Sequence, residues 1–519
     1  MSRVIRLGLV VLAGMAFATL GCGSSESKDT TVTPDVPADV VPEVVTELPM
    51  QEVPGDDVAQ DTATGDTAEV IDWDALPRLP ADKTFTKDFA AGVGRGDISP
   101  TQPTHLGGFG FCMGDENACR STTGVHDPLY SSAVAIADPA SKEVVIFVGT
   151  DTSGMVRTDI EDLHQRIQTA LYQEFGVFFP GERAMIGATH AHSACDTVGL
   201  WGPGFGAGRQ EQYIALLKDG IVKSARDAYA SLQDVTLDWG KSTYPNYDDD
   251  GIVHDDEIYV LRGKKAGGDT LFTLVRGDGH PTTYGSDMLA ASADYPGTMR
   301  KKLEDELGGM NIFMNGPIGS VYIERPSECG LTEEAFPEGD RCEGVGAGSY
   351  MKVTCTGYAV AEKVKEALAA ATPVATTGIS FKHTRFEFHP TNEALMMLCE
   401  YGPLPYDWVD VTDPESRMYS IFSLARVGDL NFLTNPGESF PSFSEEAKKI
   451  LTDEAGLTNP ITLGLTQDWM GYLLLEKQWH EPFASKLSYH MSLSPGDEVE
   501  PTFMAALRVM LGLPVPAAE

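Results

Sequence analysis

Four short stretches carry side chains that a buried core does not need. GATHAHSACD places His190 and His192 one residue apart just after the apolar run AMIGAT; TLFTLVRGDGHP arrives at His280, LNFLTNPGE at Glu438 and ITLGLTQDWMGY at Tyr472. Imidazole nitrogen and carboxylate oxygen are donors that suit Zn2+, and a catalytic zinc keeps one position open for water. The spacing adds nothing, because the donors are scattered from position 190 to position 472. Taken singly, each stretch has a plainer reading: His-Pro as a turn, Pro-Gly-Glu as an acid at a helix start, the tyrosine as core. A third metal reading would add Cys195 to the HAHSAC cluster, although a small buried cysteine is as easily structural.

What must position these residues is a set of strands with loops at their ends. Short apolar runs fall at 144–149, 184–189, 235–240, 257–262, 270–276, 311–315, 379–388, 430–435 and 461–466. They alternate with stretches of helical apolar spacing near 156–175, 210–232, 296–307, 353–371 and 442–451. The alternation predicts an α/β fold, a mixed β-sheet core flanked by helices, in one large domain over 85–519. In such sheets, ligand sites form outside the carboxyl ends of strands. The candidate donors all follow strands in this way.

At this level the chain resembles a known family. ATHAHS looks like the ATHTHS loop of the neutral/alkaline (non-lysosomal) ceramidases, GHP like their IHP, NPGE like their PGE, and WMGYLLLEKQW like the segment carrying their metal-bound tyrosine. GVHDPLYSSAVAI and FMNGPIGSV resemble two further blocks. The resemblance, to the N-terminal catalytic domain only, implies that His190, His280, Glu438 and Tyr472 coordinate zinc and that His192 is the acid/base. It implies hydrolysis of an amide, of ceramide or another lipid-like N-acyl amine. Asp151 and Asp294 are candidate partners for the ring nitrogens turned away from the metal. The block that holds a serine in the family reads Gly319, Ser320, Val321, Tyr322, so Ser320 and Tyr322 are the possible substrate-site residues. No arginine stands at 235–250 where the family has one, and no second tyrosine is evident around 483–486. These departures keep open an alternative, a surface-tethered binding protein on the same scaffold with lost or altered catalysis.

The remaining sequence places the domain. Arg3 and Arg6, an apolar run from Leu7 to Leu20 and then Cys22 have the build of a lipoprotein signal peptide over 1–22, with lipid on Cys22. The run is too short to span a bilayer. Residues 23–84 read as a disordered acidic tether rich in Pro and Thr; its stretch 23–72 holds thirteen acids, one lysine and no aromatic residue. The expectation is an exported bacterial lipoprotein on the outer membrane or cell surface. A net charge of −38 argues against nucleic acid as a partner. Cysteine spacing suggests local disulfides Cys112–Cys119 and Cys329–Cys342, leaving Cys195, Cys355 and Cys399, with Cys355 as a buried helix thiol.

Overall fold

The computed structural model describes residues 73–112, 114–204, 206–326, 350–393, 395, 396, 399 and 412–516. The expected signal peptide with Cys22, most of the expected tether and the suggested Cys329–Cys342 pair lie outside them. The strands of the main sheet are β1 (Phe89–Asp97), β2 (Tyr130–Asp138), β3 (Glu143–Thr150), β4 (Ala184–Ala188), β5 (Gln233–Thr243), β6 (Glu257–Lys265), β7 (Thr270–Gly277) and β8 (Met310–Asn315). Their order is β8-β7-β6-β5-β1-β2-β3-β4. The pairs at the two ends, β3 with β4 and β7 with β8, are parallel, and the neighbours between them are antiparallel. A second sheet runs β9 (Ile379–Phe388), β10 (Met418–Val427), β11 (Leu430–Thr434), β12 (Pro460–Leu463), and its last pair is again parallel.

Strand alternation sorts the core. In β2, Val134 and Ile136 face the second sheet, where they join Phe147, Ala425, Val427 and Phe432. Ala133, Ala135 and Ala137 face the helices α1 (Arg157–Phe175) and α2 (Glu211–Ala230). Across the sheet, Val260, Val275 and Phe313 pack against α3 (Asp294–Leu307) and α4 (Tyr350–Ala369). The mixed α/β architecture agrees with the sequence reading; a sheet, rather than helices, covers one face of the main sheet.

Of the twelve strands named here, three escaped that reading: β1, β2 and β10. In β1, FAAGVGRGD, a side chain at Gly92, Gly94 or Gly96 would overlap the backbone of α2, so the glycines let strand and helix close together. The same glycines dilute the apolar signal by which strands are recognised.

The described cysteines correct one expectation and bear out another. Cys112 and Cys119 form a disulfide. Cys355 is disulfide-bonded rather than a free thiol, while Cys195 and Cys399 are free. Among the described residues, no helix is long and apolar enough to cross a membrane.

Candidate metal centre

The three parallel pairs of the two large sheets converge at their carboxyl ends. Asn315, at the end of β8, donates from Nδ2 to the Ala188 carbonyl at the end of β4 (2.8 Å). The segment after β12 closes the gap between these edges: Gly464 N donates to Asn315 O (2.8 Å) and Ala188 N to Leu465 O (3.1 Å). His190 follows β4, His280 follows β7, Glu438 follows β11 and Tyr472 follows β12. Donors scattered through the sequence thus meet because each sits just beyond one of three adjoining strand pairs.

The imidazoles face one another through Nε2. His192 Nε2 lies 3.3 Å from His190 Nε2 and 3.1 Å from His280 Nε2. Glu438 Oε2 lies 3.3 Å from His190 Nε2 and 3.7 Å from His280 Nε2. All four residues are buried, His192 the least at 8% exposure against 1% for His190. Donors held about 2.0–2.1 Å from a tetrahedral ion are separated by about 3.3 Å, so this donor set fits zinc. Glu438 Oε2 has no hydrogen-bond partner, whereas Oε1 accepts from Trp469 Nε1 at 3.0 Å. A bare carboxylate oxygen buried among imidazole nitrogens is the arrangement a cation would complete.

Each ring is aimed from behind. The His190 Nδ1 bonds the Ser153 carbonyl and the His280 Nδ1 bonds the Ile318 carbonyl (3.0 Å). His190 itself has φ 64°, a left-handed conformation costly for a side chain with a Cβ, and its N–H is held by Thr152 O at 2.9 Å. Backbone carbonyls therefore take the role expected of Asp151 and Asp294. Asp151 is paired with Arg300 (2.8 Å) and accepts from Tyr130 N; Asp294 caps the backbone of Tyr284 and Tyr295. Neither touches a histidine, because the strand-end loops bring peptide oxygens closer than any side chain.

Burial and neighbouring charge set the protonation states. Burial pulls His192 well below the ordinary histidine value, helped by His280, His190 and Arg120. His280 falls to about 4, first by burial and then by His190. Burial also opposes charge on His190, but Glu438 and the Ser153 carbonyl outweigh it and raise that ring. Glu438 is held down to about 2: burial pushes it up, and His190, His280 and Trp469 prevail.

The other candidates fall in different places. Tyr472 pairs in register with Glu438, and its hydroxyl shares a hydrogen bond with Tyr489. Tyr322 stacks on His280 at 6.3 Å between centroids, and Ser320 is buried with its hydroxyl unpartnered. Cys195 lies outside the histidine group; its thiol faces Tyr213, and burial pushes it up to about 12.

Sequence reasoning missed Arg120, Tyr489 and His490. Arg120 ties three loops together by donating to the carbonyls of Gly107, His192, Ser286 and Met288 at 2.8–3.0 Å. It presses Gly108, at φ 93°, onto the His192 ring, where a Cβ would not fit, and Phe109 meets that ring edge-on at 4.7 Å. Tyr489 and His490 sit on the helix α5 (Ala484–Ser492), whose sequence carries no motif.

Comparison with known proteins agrees with the first of the loop motifs, ATHAHS, and with the fold. Residues 89–248 match the family described as neutral/alkaline non-lysosomal ceramidase, N-terminal. The neutral ceramidase of Pseudomonas aeruginosa is 27% identical over 165 residues, 30% of this chain; the match spans 22% of that relative's length. In fold, the chain is similar to the crystal structure of neutral ceramidase from Pseudomonas aeruginosa, with a TM-score of 0.62 and 16% identity over 84% of this chain and 76% of that one. A ceramidase complexed with C2 gives a TM-score of 0.61 at 16% identity, covering 84% and 77%. The chain is ceramidase-like in both sequence and fold.

Proposed function

We propose that the chain is a zinc-dependent hydrolase that cleaves the amide bond of a lipid-like N-acyl amine. The observation that carries the reading is the meeting of His190, His192 and His280 through Nε2, with the bare oxygen of Glu438 at 3.3 Å from His190 Nε2 and 3.7 Å from His280 Nε2. Similarity to ceramidases supports the amide as the bond cleaved. His190, His280 and Glu438 would hold the ion, with Tyr472 alongside. Zinc in such a site acidifies a water and polarises a carbonyl.

The proton work falls to His192. It is the most exposed of the clustered donors, and its Nδ1 has no hydrogen-bond partner among the described residues. Its depressed basicity keeps the ring neutral near pH 7, so it can accept a proton from the attacking water. Returned to the nitrogen as the C–N bond breaks, that proton yields a free amine, and the water oxygen stays on the acyl carbon as a carboxylic acid. Apolar side chains around the cluster suit an acyl chain: Phe109 against His192, Tyr322 over His280, and exposed Tyr247 opposite Tyr322 across a strand pair.

The remaining expectations complete the proposal: export, lipid on Cys22, and a long acidic tether holding the domain off an outer membrane or cell surface. Loss of membrane partitioning in Cys22→Ala, by detergent phase separation, checks the anchor. The activity is tested by screening zinc-loaded protein against N-acyl amides of varied headgroup, with a chelator control. Binding without turnover across the screen would favour the binding-protein alternative.

A further inference from the structure

His490 differs from the other buried histidines. Its side chain is 5% exposed, and neither ring nitrogen has a hydrogen-bond partner. His164, His190 and His280 each bond a backbone carbonyl, and His192 faces two other imidazoles. Three aromatic rings fix the plane of His490: Tyr472 at 4.8 Å, Phe440 at 5.2 Å and Tyr489 at 5.4 Å, all steeply inclined to it. The end of α5 is pinned as well. Asn392 Nδ2 donates to the carbonyls of Met491, Ser492 and Ser494, and Tyr472 N donates to Leu493 O at 3.0 Å.

An aromatic slot of this kind would be filled at less cost by phenylalanine, because a buried imidazole without partners forfeits the hydrogen bonds it makes in water. The ring is near enough to Glu438 and His280 for their charges to act on it, yet it lies outside the cluster of converging Nε2 atoms. An imidazole held in place by three rings offers two nitrogens for hydrogen bonding. Its complement is a polar group, such as a hydroxyl or an amide, that can both donate and accept.

We infer that His490 is a substrate-positioning residue, whose ring nitrogens bond a hydroxyl or amide group of the bound N-acyl amine beside the metal centre. The inference rests on the hydrolase reading above. It makes His490 a determinant of which headgroup is accepted, distinct from the residues that hold the ion or move the proton.

The test compares wild type with His490→Phe and His490→Asn. Metal content, thermal midpoint and binding of an N-dodecanoyl amino alcohol to metal-free protein are measured first, then kcat and KM of the zinc-loaded forms on the same compound. His490→Phe should keep its metal, melt at or above the wild-type temperature, bind the probe at least about tenfold more weakly and show the loss in KM. His490→Asn, which retains a donor and an acceptor, should recover part of the binding. Unchanged probe affinity in His490→Phe overturns the inference, as does a lowered midpoint with unchanged affinity, which marks a structural role, or loss of metal, which marks a ligand. Wild type that binds the probe without hydrolysing it sinks the hydrolase reading and leaves His490 to be judged on affinity. Wild type that does not bind it overturns both.

Discussion

Glu438 divides its work between its two oxygens, one fixed by the Trp469 indole and the other bare toward His190 and His280. Trp469→Phe removes the fixing bond, and zinc affinity measured by chelator competition should fall about 10–100-fold. Glu438→Ala or His190→Ala should abolish zinc retention, while His192→Ala should keep the ion and lose activity; a His192→Ala enzyme with normal turnover would refute the acid/base assignment. In the metal-free protein Glu438 outweighs burial and raises the His190 ring above the ordinary histidine value near 6.5, and the ion needs that ring neutral. Zinc uptake at that pH should therefore release protons, read as a dependence of binding heat on buffer, and affinity should rise with pH. At this scale the donors were legible because each follows an apolar strand. His490 and Tyr489 were not, since a helix with two aromatic positions looks like core. Asp151 and Asp294 misled because only coordinates show a peptide oxygen to be nearer.

Of the twelve strands named above, nine were legible from apolar runs; β1 and β2 are diluted by Gly, Ala and Ser, and the apolar run of MYSIFSLARV is broken by Ser420, Ser423 and Arg426. The glycines of β1 are the clearest case of packing overriding propensity. Gly94→Ala would drive a methyl into the Ser224 carbonyl of α2 and should destabilise the fold by about 1–3 kcal/mol, with zinc content per folded molecule unchanged. Asp151 belongs to this scale too, as an anchor between β3 and α3. Arg300→Met leaves it buried without its cation and should cost about 3–5 kcal/mol in denaturant unfolding.

Across the whole molecule, burial keeps His164 neutral down to about 4, with the nearby His383 adding to the effect. An unfolded histidine protonates near 6.5, so between these values the unfolded chain binds the extra proton. Stability should hold above pH 6.5 and decline as pH falls toward 4, and His164→Phe should flatten that part of the melting-temperature profile. Sequence similarity at family level ends at position 248, so it reaches His190 and His192 and leaves His280, Glu438 and Tyr472 to geometry. The segment at 464–466 that hydrogen-bonds to both edges of the main sheet has one more consequence. It closes the candidate metal site with peptide bonds' own donors and acceptors, a frame that needs no ion to hold it. Stripping and refilling should then be free of hysteresis: a chelated sample given zinc should regain full occupancy within mixing time, without passing through an unfolded chain.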